Sequence, residues 1–415
     1  MRSELEGENV DPGPDAARAD AARLRVLMVA ACPFPAGRGT PIRIARMAEA
    51  LANHGHHVHV VTYHLGDGEP PRNVVVHRTP RVRTYSRTRP GPSYQKLLLM
   101  DPILTMTMRR VVRMHRFDVV HAHHVEGLAA AMLARPAGVP VVFDAHTLLR
   151  AELPQYRLGV PKRVLERVGG LLDGFLPARA DHVIAVTRAI AAHLQPHRGA
   201  TGPTVTVIEN GVLWQRFQDA PEGRPARPGP VLVFAGNMAS YQGIEKLLEA
   251  FALVRRAHPQ ARLVLATEDA RGFERYRSRA ERLNLAAHLT VRPTPFAELP
   301  GVLASASVGV SPRTAGEGMA MKVLNYMAAG LPTVSFRGSA GGLEHSRTGW
   351  VVPNDDIPAF ASGISRLLED PAYARSMGER ARAAVRDERS WDSVAAKVED
   401  VYRSMLAAKR EVPRW

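Results

Sequence analysis

"LRVLMVAACPFPAGRGTPIRIARMAEALANHG" (24–55) reads as three pieces in a fixed order. The run "LRVLMVA" (24–30) is apolar without alternation, as expected of a strand covered on both faces. "PFPAGRGTP" (33–41) is a loop. The helix that follows has Thr40 as its N-cap, Pro41 at its first position and Gly55 as its stop. A strand, a glycine loop and a helix make the repeating unit of a parallel sheet. The loop also aims backbone N–H groups and a helix N-terminus at one spot, an arrangement that suits a phosphate. It is neither a Walker loop nor a full dinucleotide fingerprint, and a tight turn explains Gly37 and Gly39 about as well.

The unit then repeats. "HVHVVTY" (57–63), "DVVHAHH" (118–124), "VPVVFDAH" (139–146) and "HVIAVT" (182–187) are strands, with helical patterns between most of them. "TVTVIENGV" (204–212) is another strand and turn, and "APEGRPARPGP" (220–230) has the composition of a linker. After it the pattern restarts with "VLVFAG" (231–236), "ARLVLAT" (261–267), "HLTVRP" (288–293), "VGVSPR" (308–313) and "TVSFR" (333–337). "SWDSVAAKVEDVYRSMLAA" (390–408) is one amphipathic helix. The fold class is therefore α/β with two doubly wound lobes. The sequence places a tail at 1–22, a first lobe at 23–200 joined by the helix at 390–410, and a second lobe at 201–389. Such sheets bind ligands at the carboxyl ends of their strands, which predicts a cleft between the lobes.

Composition narrows the setting. With 45% hydrophobic and 6% aromatic residues, the 415-residue chain is of ordinary globular type. The single cysteine, Cys32, excludes a disulfide framework and suits a reducing cytoplasm. Residues 1–22 are rich in acids and lack the apolar core of a signal peptide. No apolar run is long enough to span a bilayer. The formal charge of +15 is uneven: Arg78 to Arg116 holds ten Lys/Arg and one acid, Asp101. Within it, "SYQKLLLMDPILTMTMRRVVRMHR" (93–116) interleaves bases with Leu97, Leu98, Met100, Ile103, Leu104, Met108, Val111 and Val112. That pattern fits an anionic membrane surface at the inner face, or a core-facing helix with solvated arginines. No nucleic-acid motif accompanies it, so nucleic acid is not expected as a partner.

A second phosphate-directed stretch is "SPRTAGEGMAMKVLNYMAAGLPTV" (311–334). A helix from about Met319 offers its N-terminus, with Arg313 and Lys322 beside it, and Gly330-Leu331-Pro332 ends it. Glu317 lies between Gly316 and Gly318, and Asn325 follows eight residues later on nearly the same helical face. In "HAHH", His121 and His123 share a strand face, but no carboxylate or cysteine ligand set stands beside them in sequence, so no metal is expected. His146 ends a strand at the rim where ligands bind. Cys32 has no nucleophile motif around it.

Together these segments resemble family 4 of the retaining glycosyltransferases, which have the two-lobed GT-B fold. The likeness runs over about residues 24–408. It is carried by "GRGTPIRIARMAEALANHGHHVHVVT", "FDVVHAHH", "VPVVFDAH", "ADHVIAVT", "VIENGV", "VLVFAGNMASYQGIEKLLEAF", "GEGMAMKVLNYMAAGLPTV" and "GGLEHSRTGWVV" in the family's order. The resemblance implies that Gly39 approaches the donor diphosphate and that His146 lines the reacting centre. It also implies that Glu317 contacts the donor sugar, as the first acid of the family's Glu-x7-Glu element. Arg313, Gly318, Met319, Lys322 and Val323 fall at the donor side, and Asn325 takes the place of the acid that holds the ribose. The family usually has Arg and Lys where this chain has Asn237 and Gln242, so three charged positions of one site are amides here.

The expected function is retaining transfer of a sugar from a UDP- or GDP-linked donor to a saccharide or lipid-linked acceptor in envelope polysaccharide or glycolipid synthesis. Helix dipoles and bases neutralise the leaving diphosphate, so neither a metal nor a cofactor is implied. The amide exchanges motivate a second reading, a GT-B subunit that binds a glycan or partner without transfer. Glu317, His146 and Lys322 favour the transferase.

Overall fold

A computed structural model of the chain describes residues 23–36, 39–66, 68–87, 93–155, 159–195, 204–218, 229–268, 270–314 and 320–411. It contains two parallel sheets. The first has seven strands: β1 (Arg25–Ala30), β2 (His57–Thr62), β3 (Val74–Arg78), β4 (Val119–His123), β5 (Val141–Ala145), β6 (His182–Ala185) and β7 (Thr204–Val207), in the order β3-β2-β1-β4-β5-β6-β7. The second has six: β8 (Val231–Ala235), β9 (Arg262–Thr267), β10 (Leu289–Pro293), β11 (Val308–Ser311), β12 (Thr333–Phe336) and β13 (Trp350–Val352), in the order β10-β9-β8-β11-β12-β13. Two α/β sheets of doubly wound type bear out the expected fold class.

Both sheets reverse direction at the same place in their topology. Chain order runs outward from β1 to β3 and then jumps to β4 on β1's other side; β8 to β10 and then β11 repeat the move. The crevice beyond the strand ends at such a reversal is where this fold class holds its ligands. Helices cover both faces of the central strands, and Val26 to Ala30 in β1 are apolar and fully buried. In the second sheet a core of Leu232, Phe234, Leu263, Leu265, Val308, Val310 and Val334 packs against Phe251 and Phe360.

The sequence reading needs two corrections here. Thr204–Val207 was expected to open the second lobe, but as β7 it joins the first sheet at the edge beyond β6. β3, not foreseen, pairs with β2 as the opposite edge. The chain divides into two compact units. One comprises 1–144, 176–183 and 401–415, and the other 145–175 and 184–400. Within the first unit, the end of the Trp391–Glu411 helix is tied to the first sheet: Tyr402 Oη lies 2.6 Å from His121 Nδ1, and Lys409 pairs with Asp181 at 3.0 Å. The 93–116 segment is a π-helical turn (Lys96–Met100) running into the Asp101–Met114 helix. Its inner face buries Met100, Leu104, Met108 and Val111, while Tyr94, Leu97, Leu98, Met106 and Met114 are exposed. It is a core helix on one side and an apolar, basic surface on the other. No described helix is long and apolar enough to cross a membrane.

Candidate active site

At the reversal point of the second sheet, the chain leaves β8 through Gly236 and Asn237 and enters the Ile244–Ala257 helix through Gly243. Gly243 has φ 76°, and a Cβ there would stand 2.2 Å from the Pro312 carbonyl oxygen, so only glycine fits between the loops after β8 and β11. The next helix over, Met321–Ala328, is pinned by Tyr326, whose hydroxyl accepts a hydrogen bond from Ala235 N at 2.7 Å. These anchors bring Asn237, Gln242, Arg313 and Lys322 together.

A polar chain links them. Asn237 Nδ2 donates to Tyr241 Oη at 3.1 Å, and Asn237 Oδ1 accepts from Ala239 N and from Gln242 Nε2, both at 3.2 Å. Gln242 Oε1 then accepts from Lys322 Nζ at 2.6 Å. Lys322 is buried, and its ammonium sits 3.8 Å from the centre of the Phe234 ring. The Arg313 guanidinium lies over Tyr241, 5.5 Å from the ring centre. Among the described residues no carboxylate forms an ion pair with Lys322. Burial first, and the Arg313 charge second, hold its pKa well below the ordinary lysine value. Among the described residues this desolvated cation faces a neutral amide and a ring, a setting that suits an incoming anion.

Of the remaining donor-side positions, Asn325 lies one turn beyond Lys322, buried, and Val323 packs in the core below the helix. Glu317, Gly318 and Met319 lie outside the described residues. The chain enters that stretch from a fixed point: Thr314 accepts from Lys246 Nζ at its hydroxyl (3.0 Å) and from Asn354 Nδ2 at its carbonyl (3.0 Å).

A different set lies at the reversal point of the first sheet. Arg43, inside the Gly39–Asn53 helix, grips Asp144 at the end of β5 with two hydrogen bonds, Nε to Oδ2 at 2.8 Å and Nη2 to Oδ1 at 3.1 Å. His121 and His123, stacked 4.5 Å apart on β4, face the same carboxylate, with His123 Nδ1 3.4 Å from Oδ2. All four side chains are essentially inaccessible to solvent. Burial pushes His123 down to about 3, so it is neutral at ordinary pH. Sequence reading gave these histidines no carboxylate partner; the structure supplies Asp144, because register pairs it with His123 across the strands. Both its oxygens are engaged by Arg43, so a metal would have to displace a guanidinium. Gly39 begins the helix with φ 32°, and a Cβ there would meet nothing within 4 Å. His146 follows β5 directly and is buried. Neither Arg43 nor Asp144 was singled out in the sequence, since their pairing spans 101 residues.

Polar clusters at the reversal points of two doubly wound sheets match a known pattern. Residues 37–213 correspond to Glycosyltransferase Family 4, and residues 229–370 to Glycosyl transferases group 1. The chain belongs to glycosyltransferase family 4. Among its family 4 relatives, the D-inositol 3-phosphate glycosyltransferase of Streptomyces avermitilis is 30% identical over 71% of this chain and 67% of its own length. That of an Arthrobacter species is 28% identical over 89% and 90%. The fold is shared with sucrose-phosphate synthase of Thermosynechococcus elongatus, at TM-score 0.76 and 21% identity over 93% of this chain and all of that one. Anabaena HepE, solved in complex with UDP and glucose, aligns at TM-score 0.68 and 16% identity over 92% of this chain and all of its own. This family 4 chain is thus a glycosyltransferase of GT-B fold.

Proposed function

We propose that this glycosyltransferase moves a sugar, with retention at the anomeric carbon and without a metal, from a UDP- or GDP-linked donor to a saccharide or lipid-linked acceptor in envelope polysaccharide or glycolipid synthesis. The observation that carries the reading is Lys322, a buried cation with a neutral partner where the donor diphosphate belongs. As the C1–O bond to the diphosphate breaks, negative charge grows on the leaving oxygen, and a preformed cation stabilises it most there. Arg313 and the backbone N–H groups at the start of the Met321–Ala328 helix add to the same field. Glu317 contacts the donor sugar, Asn325 the ribose, and His146 lines the reacting centre. The acceptor hydroxyl attacks C1 from the side the diphosphate leaves, and its proton goes to a departing phosphate oxygen, so no second carboxylate nucleophile is required. The relatives' names support the transferase class and show phosphorylated inositol among acceptors used within it.

The exposed apolar and basic side of the 93–116 segment, with Arg109, Arg110 and Arg113 beside Met106 and Met114, supports docking at an anionic lipid surface, which suits a lipid-linked acceptor. Sedimentation with phosphatidylglycerol vesicles should fall with salt and be lost in Arg109→Glu/Arg110→Glu; equal binding to neutral vesicles contradicts the docking.

The decisive assay incubates the protein with UDP- and GDP-sugars and a panel of glycan and polyprenyl-linked acceptors, with product anomers read by NMR. Retained configuration, turnover in EDTA and loss of most turnover in Glu317→Gln are expected. An inverted product, or transfer abolished by EDTA and restored by Mg²⁺, overturns the mechanism. Melting-temperature shifts with UDP or GDP but no transfer to any acceptor would favour the binding subunit instead.

A further inference from the structure

Away from the donor site, the first sheet carries a second histidine group that the transfer reaction does not use. His59 on β2, His77 on the edge strand β3 and His115 just past the Asp101–Met114 helix converge from three elements. Register places Val61 opposite His77, so His59 and His77 lie two positions apart on one face of adjacent strands. Their ring nitrogens are close: His59 Nδ1 is 2.9 Å from His77 Nε2, and one ligand atom from each of the three imidazoles falls within 4.8 Å of the others. The Phe117 ring closes one side, 5.2 Å from His59 in an edge-on contact.

We propose that His59, His77 and His115 form a binding site for a borderline divalent transition-metal ion of the zinc class. A tetrahedral ion holds imidazole nitrogens at about 2.0–2.1 Å, which sets them roughly 3.3 Å apart. The His59–His77 pair is already near that spacing, and the exposed His115 ring stands 4.9 Å from that of His59. Among the described residues no carboxylate joins them, so Mg²⁺ and Ca²⁺ are disfavoured, while Zn²⁺, Cu²⁺, Ni²⁺ and Co²⁺ suit three imidazoles. The fourth position is left to solvent on the His115 side. A bound ion would clip the edge strand β3 and the helix end onto β2. This site differs from the buried His121–His123–Asp144 group, where Arg43 already occupies the carboxylate.

The test uses untagged full-length protein freed of metal by chelation and titrated with ZnCl₂, then with CoCl₂ while its visible spectrum is recorded. One equivalent should bind, raise the melting temperature and give the intense visible bands of tetrahedral Co²⁺. His115→Gln changes an exposed side chain and leaves the fold unaltered. It should weaken binding at least about tenfold, the loss seen even for outer-shell partners of metal ligands, and His59→Gln should do the same. His121→Gln, in the other group, should leave the affinity unchanged. Absence of a one-to-one complex, or equal affinity in wild type and His115→Gln, overturns the proposal. Loss of binding in His121→Gln alone would assign the ion to the wrong cluster and overturn it too.

Discussion

Each sheet of this glycosyltransferase buries one cation at its reversal point, and the two are treated differently. Arg43 meets Asp144 through two parallel hydrogen bonds, and His121 and His123 complete the surroundings. Lys322 meets an amide oxygen and an aromatic face. A buried cation with its own carboxylate is costly to break apart, whereas one with a neutral partner is left able to meet a ligand's charge. The contrast assigns roles that residue type alone does not. On the proposed function, anion binding belongs to the second sheet, and the first has a buried polar floor.

The contrast predicts opposite outcomes for parallel substitutions. Arg43→Met strands the Asp144 carboxylate in the core, and unfolding free energy should fall by about 3–5 kcal/mol, read by denaturant titration. Lys322→Met removes an unneutralised charge, so the melting temperature should not fall. Its affinity for UDP or GDP, whichever binds wild type, should drop by about 1.5–3 kcal/mol in calorimetry, with the parent nucleoside unaffected. If Lys322→Met destabilised the fold as Arg43→Met does, the distinction between the two cations would collapse.

Asn325→Glu sharpens the comparison by giving the second sheet what the first already has. A carboxylate one turn from Lys322 supplies an internal counter-ion at i, i+3 spacing. Stability should rise while nucleotide affinity falls, the two changes each amounting to about 0.5–2 kcal/mol. Adding Asn237→Arg and Gln242→Lys should restore affinity, with a coupling of about 0.5–3 kcal/mol in a mutant cycle. Tighter nucleotide binding by Asn325→Glu alone would show that Asn325 is a simple loss from a ribose site. In the structure the residues at 237 and 242 share one setting, since Asn237 and Gln242 hydrogen-bond each other and pass the chain on to Lys322.

Most strands were legible in the sequence, because a β-branched run covered on both faces has few other readings. β3 was not: "VVVHR" is short, half exposed and follows β2 too soon for the helix expected between parallel strands. β7 was legible as a strand but not as a member of the first sheet, since strand order is decided by packing rather than by chain order. Lys322 and Arg313 were found through their helix start. Their setting was not, because the Gln242 contact spans 80 residues. Asp144 escaped for the same reason, although it stands two residues before His146. The three clustered histidines have no spacing motif, and only strand register brings His59 and His77 together.

The proposal that Lys322 meets the donor's diphosphate has a direct readout in protons. With its pKa depressed by burial and by Arg313, Lys322 binds fewer protons in the folded apoprotein than a free lysine does. An arriving diphosphate raises that pKa, so between the free and bound values the complex takes up a proton, and affinity declines as pH rises through this window. Nucleotide titrations in buffers of different ionisation enthalpy, repeated across alkaline pH for wild type and Lys322→Met, measure that uptake. Net uptake in wild type that vanishes in Lys322→Met is the expected result. Identical proton exchange in the two proteins would contradict the account.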